Sequence, residues 1–96
     1  MSKILDAAVD AINNRLGGQG FDGSIKVVIE DEGALIIDES GARASDDDAA
    51  CTMSASAETL QGMLEGDVNP TAAFMSGKLT VDGDMSMALK LGAVLA

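Results

Sequence analysis

Along residues 2–16, Ile4, Leu5, Ala8, Val9, Ile12 and Leu16 recur at helical spacing, while Asp6, Asp10, Asn13 and Asn14 fall mainly on the other side. Ser2 reads as the N-cap of this amphipathic helix, and Gly17-Gly18 with Gly20 ends it. The period then drops to two. Ile25, Val27 and Ile29 alternate with Lys26, Val28 and Glu30, and Leu35 and Ile37 alternate with Ala34, Ile36 and Asp38, predicting strands over residues 24–30 and 33–38. Asp31-Glu32-Gly33 suits a tight hairpin between them, with Gly33 in the left-handed region. Asp38-Glu39-Ser40-Gly41 reads as a second turn into a short strand around residues 42–44, completing a three-stranded meander.

Asp46-Asp47-Asp48 is too charged to lie inside a sheet and marks a break. A fourth strand over residues 49–55 then carries Cys51, Met53 and Ala55 on one face. Ser56 caps a helix to Glu65 with Leu60, Met63 and Leu64 as its apolar stripe, and Asn69-Pro70 opens a short helix carrying Ala73, Phe74 and Met75 that Gly77 closes. Residues 78–82 form a fifth strand, with Leu79 and Val81 inward. Gly83 turns the chain, Asp84 caps, and a last helix spans residues 85–95. Met85, Met87, Leu89, Leu91, Val94 and Leu95 cover most of its circumference, and Lys90 is its only charge. The order of elements predicts an α+β fold. A helix apolar nearly all round must be buried on two sides, yet one sheet face covers only one. The second side requires a ligand, another subunit or the other helices.

Composition narrows the chemistry. A chain of 96 residues supports one domain, taken as residues 1–96. Sixteen acidic against six basic residues give a net charge of -10, which repels phosphate backbones and anionic lipid surfaces. Nucleic acid is therefore excluded as a partner, and so is stable membrane insertion, since no apolar run approaches about 20 residues. Residues 1–6 contain no signal h-region, making the cytoplasm the expected location. Without histidine there is no Ser-His-Asp or Cys-His arrangement, and Cys51 alone builds neither a disulfide framework nor a zinc site. Most carboxylates fall in turns, where solvation explains them better than catalysis. Asp46-Asp47-Asp48 and Asp82-Gly83-Asp84 lack the EF-hand spacing, and Gly17-Gly18-Gln19-Gly20 follows a helix instead of a strand. The expectation is a chain that is not an enzyme and has no metal and no cofactor. Acyl carrier proteins, also small and acidic, are all-helical and carry Asp-Ser-Leu, which is absent here.

The apolar inventory is more pointed. Met75, Met85 and Met87 cluster with Phe74, Leu79, Val81, Leu89, Leu91 and Leu95 in the last quarter of the chain, where large aromatics are otherwise missing. Methionine is flexible and polarisable and recurs on surfaces that fit varied apolar partners. A cavity or a dimer surface follows, and periodicity alone does not choose between them.

Residues 69–91 closely resemble the sterol carrier protein 2 family, which shows Pro-x-x-Ala-Phe-Met-x-Gly-Lys-Leu, a strand, Gly-Asp/Asn-Met and an apolar helix. Phe74, Met75, Gly77, Lys78, Leu79, Gly83, Met85 and Leu91 stand where that pattern wants them. The stretch from Asp48 to Ser54, feeding a helix at Ala57, is similar to the family's fourth strand and following helix, while the N-terminal half agrees mainly in element order. The resemblance implies a stand-alone, bacterial-type domain: a five-stranded, mainly antiparallel sheet with helices on one face, enclosing a hydrophobic tunnel. It also implies a small-molecule lipid ligand, such as a fatty acid, fatty acyl-CoA, sterol or isoprenoid-like molecule, bound without chemistry. The expected lining is Phe74, Met75, Leu79, Val81, Met85, Met87, Leu89, Leu91 and Leu95, with Met53, Leu60, Met63 and Leu64 as the opposite wall. Lys78, Lys90 and Arg15 are the only basic candidates near an anionic group, which favours a fatty acid or neutral isoprenoid over acyl-CoA. The rival expectation is an interaction module: a homodimer through the last helix, or an accessory factor for a lipid- or quinone-handling enzyme.

Overall fold

The computed structural model describes residues 3–95, apart from the side chains of Pro70 and Leu95. In chain order the elements are α1 (Lys3–Leu16), β1 (Ile25–Ile29), β2 (Gly33–Asp38), β3 (Gly41–Ala44) and β4 (Cys51–Ala55), then α2 (Ala57–Glu65), α3 (Pro70–Met75), β5 (Leu79–Gly83) and α4 (Met85–Leu95). The strands form one five-stranded sheet in the order β3-β2-β1-β4-β5. The β1–β2–β3 meander is antiparallel, β4 pairs with β5 antiparallel, and β1 pairs with β4 parallel. The fold is thus α+β with a mostly antiparallel mixed sheet. The β3–β4 connection, entered by Asp46-Asp47-Asp48, makes the crossover that parallel pairing demands. The Ser2 cap expected from the sequence lies outside the described residues.

Local chemistry sets the boundaries. Ser56 accepts the backbone N–H of Thr59 at 3.1 Å, and Gly66 ends α2 at φ 84°. Asn69 Oδ1 accepts the N–H groups of Thr71 and Ala72 at 2.8 and 3.2 Å, and Asp84 Oδ1 accepts that of Ser86 at 2.9 Å. Ser76 caps α3, one residue before the glycine expected to close it. Strand β4 begins at Cys51, two residues later than the alternation suggests, because the Ala50 N–H leaves the ladder and donates to Ser24 Oγ. Gly83 closes β5 instead of turning the chain beyond it, pairing with Cys51 at φ 102°. A Cβ there would stand 2.6 Å from the Ala50 carbonyl oxygen, so the strand end admits only glycine.

The inner sheet face is apolar: Ile25, Val27 and Ile29 of β1, Leu35 and Ile37 of β2, and Cys51, Met53 and Ala55 of β4 are all buried. Ala8 and Ile12 of α1, Leu60 and Met63 of α2, Ala73 of α3 and Leu91 of α4 pack into the same core. On the outer face, Ile36 is nevertheless only 2% exposed. Its register partners are Lys26 and Arg43, whose aliphatic stems flank it, and Lys26 is drawn onto Asp46 at 2.6 Å. Asn13, expected on the solvent side of α1, instead docks the helix to the edge strand. Its Oδ1 accepts the Ala42 N–H at 2.8 Å, and its Nδ2 donates to the Ala42 carbonyl at 3.0 Å. This two-point bond satisfies both backbone groups of one edge residue.

Asp38 holds the second turn. The Ser40 N–H and then the Arg43 guanidinium, both at 2.9 Å, lower its carboxyl from the usual 3.8. A lowered folded value stabilises the fold above the ordinary pKa, and that gain disappears as pH falls through the lowered value. Urea melts of Asp38→Asn should therefore show a loss of about 0.2–1 kcal/mol at pH 7 that begins to shrink near pH 3.8 and vanishes below the lowered value. A loss that persists unchanged in acid would remove the carboxylate from this role.

Candidate functional site

Two separate apolar clefts open among the helices. One lies over the β4–β5 side of the sheet: Met53 of β4 with Leu79 and Val81 of β5 line it from the sheet, Phe74 from α3, and Met85, Ala88 and Leu89 from α4. Gly92 and Ala93 extend the α4 wall, and Asn69 and Thr71 are the polar lining residues. No charged side chain is among those lining it, and its volume is about 260 Å³. The other cleft, of about 380 Å³, runs between α1 and α2 over Ala7, Ala8, Ala11, Ala57, Leu60 and Leu64, with Ile4 at one side and Lys3, Gln61 and Glu65 on its rim.

Of the residues expected to line a lipid site, Met53, Phe74, Leu79, Val81, Met85 and Leu89 meet in the first cleft. Leu60 and Leu64 line the second. Met63 and Leu91 are core residues, 2% and 1% exposed. Met87 turns toward the loop before β1, where its Sδ would lie 2.8 Å from a Cβ on Gly23, beside Phe21. Met75 lines neither cleft and is 80% exposed. Leu95 falls outside the described side chains.

The dual apolar character of α4 now has a geometry. Met85, Ala88, Leu89, Gly92 and Ala93 share one face through spacings of three and four residues, and that face fronts the cleft. Met87, Leu91 and Val94, about half a turn away, pack against the core. Sequence reasoning passed over Ala88, Gly92 and Ala93 because they are small, yet their smallness opens the space Leu89 borders. Their spacing from Met85 was the available signal. The α1–α2 cleft was missed for the same reason, its floor being mostly alanine.

Chemical groups near these clefts are sparse. Cys51 is buried, and burial first, then the charges of Asp84 and Asp82, push its thiol above the usual value, so it stays protonated and a poor nucleophile. The Arg15 guanidinium donates to the Leu64 carbonyl, and Lys90 lies 3.5 Å from Asp22. Among the described residues, no three acidic or sulfur side chains converge as metal ligands, and no helix is long and apolar enough to cross a membrane.

Known proteins resemble this chain in sequence over about half its length, and in fold. The hydroxysteroid dehydrogenase-like protein 2 of Danio rerio is 48% identical over 48 residues, covering 50% of this chain and 12% of that protein. Sterol carrier protein 2 of Gallus gallus is 43% identical over 47 residues, covering 49% and 9%. Both are much longer proteins, and the match takes in about a tenth of each. In fold, the chain is similar to the solution structure of sterol carrier protein 2 from Aedes aegypti in complex with palmitate, with a TM-score of 0.79 and 20% identity over 100% of this chain and 97% of that one. The profile of the SCP-2 sterol transfer family matches residues 5–96, which include every strand and the whole lining of the cleft over β4 and β5. With that match and the shared five-stranded mixed sheet, the chain belongs to the SCP-2 sterol transfer family.

Proposed function

We propose that this chain binds an apolar lipid, without transforming it, in the cleft between β5, α3 and α4. One observation carries the reading. Phe74, Met85 and Leu89 are 40%, 42% and 64% exposed, and all three border that single cleft. Large apolar side chains gathered in the open cost free energy unless something covers them, so such a patch marks a binding surface. The family's description as a sterol transfer family and the palmitate held by the Aedes aegypti relative support a lipid as that cover. The volume lies just under the roughly 300–1,000 Å³ of ordinary ligand pockets, so a long chain requires some side-chain movement. Met53 and Met85 supply adaptable walls for it.

Affinity then comes from burying methylenes, each worth about 0.8 kcal/mol or roughly a fourfold change in Kd. Displacement of a fluorescent lipid by straight-chain alcohols of increasing length should tighten by about that factor per carbon until the cleft is full. A flat series, or no displacement by any alcohol, would remove the lipid site.

A further inference from the structure

The lining of this cleft also bears on the polar end of a lipid. We infer that the site prefers lipids whose polar end is an uncharged oxygen acceptor, an ester, ketone or hydroxyl, over those ending in an ionised carboxylate or phosphate. This inference rests on the lipid-binding reading and concerns only the headgroup.

Its first support is the polar lining. Asn69 and Thr71 stand together at the cleft, and Asn69 Oδ1 is already engaged by the N–H groups of Thr71 and Ala72. What Asn69 has left for a ligand is its Nδ2, a donor, and the Thr71 hydroxyl both donates and accepts. Two neutral groups of this kind suit a single neutral oxygen. Its second support is electrostatic. An anionic headgroup at an apolar cleft requires a cation to offset its desolvation, and neither Lys78 nor Lys90 lines this one. Lys90 faces Asp22, and Arg15 is spent on the Leu64 carbonyl among α1 and α2. Acidic residues adjoin the lining too, Asp82 after Val81 and Asp84 before Met85, and they balance Lys78 before Leu79 and Lys90 after Leu89. In a chain of net charge -10, an anion at this mouth meets repulsion over a range of about 8 Å at physiological salt.

The test compares ligands that share one hydrocarbon and differ in their ends: dodecanol, methyl dodecanoate and dodecanoate, each displacing a fluorescent hydrocarbon probe at pH 8 and low salt. The alcohol and ester should bind at least about tenfold more tightly than dodecanoate, with the gap narrowing as salt screens the acidic surface. Asn69→Asp keeps an oxygen to cap α3 but removes the amide donor. It should weaken the ester by about two- to tenfold more than it weakens the hydrocarbon probe, with thermal stability unchanged. Thr71→Val should act in the same direction on the alcohol. Dodecanoate binding as tightly as the ester, or an Asn69→Asp variant that holds the ester as tightly as the parent protein does, would overturn the inference. If none of the three ligands displaces the probe, the lipid-binding reading itself has failed.

Discussion

Replacing Leu89 with aspartate should abolish lipid binding and leave the fold intact. Leu89 is 64% exposed, so its side chain contributes little to folding, and a surface change of this kind ordinarily stays within about 0.5 kcal/mol. For a chain of this size that corresponds to a Tm change under about 4 °C. In the ligand-bound state the position is different. Leu89 borders the cleft, and a carboxylate there would either be desolvated beneath the lipid or hold water where methylenes should pack. A loss of at least about 100-fold in affinity, near 2.7 kcal/mol, is expected by displacement titration. Met75→Asp provides the comparison: Met75 is even more exposed, at 80%, but lines no cleft, so its replacement should leave affinity where it was. Equal losses in the two variants would show that any exposed apolar side chain matters and that the cleft does not.

Two positions further along the same helix, the expected effect reverses. Leu91 is 1% exposed and belongs to the core cluster, so Leu91→Ala leaves a cavity that the neighbouring elements fill only in part. Such truncations cost about 2–5 kcal/mol, a large share of the roughly 5–15 kcal/mol that holds a domain of this size together. The urea midpoint should fall at unchanged slope, with Tm lower by roughly 10 °C or more. The measurement belongs on lipid-free protein, because a ligand that binds only the folded state would mask part of the loss. A cost below about 1 kcal/mol would mean that α4 is not anchored through Leu91.

These two residues also mark what the sequence made legible and what it hid. The elements were readable because their punctuation is chemical: Ser56, Asn69-Pro70 and Asp84 open helices, Gly66 closes one, and the period-two runs in β1 and β2 have turn residues between them. The allotment of faces on α4 was hidden, because a helix apolar on nearly every side has no polar stripe to show which side meets the core. Leu91 and Leu89 were therefore indistinguishable as letters, and so were Met87, which packs over Gly23, and Met75, which meets solvent. Asn13 was unreadable for another reason: its partner is the backbone of Ala42, 29 residues away, and a backbone bond leaves no trace in side-chain pattern. Small residues such as Ala88 and Gly92 carried the opposite difficulty, since a cleft is made by what is absent.

Native mass spectrometry of gently purified protein shows whether the cleft carries a lipid. The expected spectrum holds a population heavier than the bare chain by the mass of one apolar lipid, lost from Leu89→Asp but retained in Met75→Asp. A spectrum of bare chain alone, unchanged after incubation with dodecanol and longer neutral lipids, would contradict the lipid-binding reading.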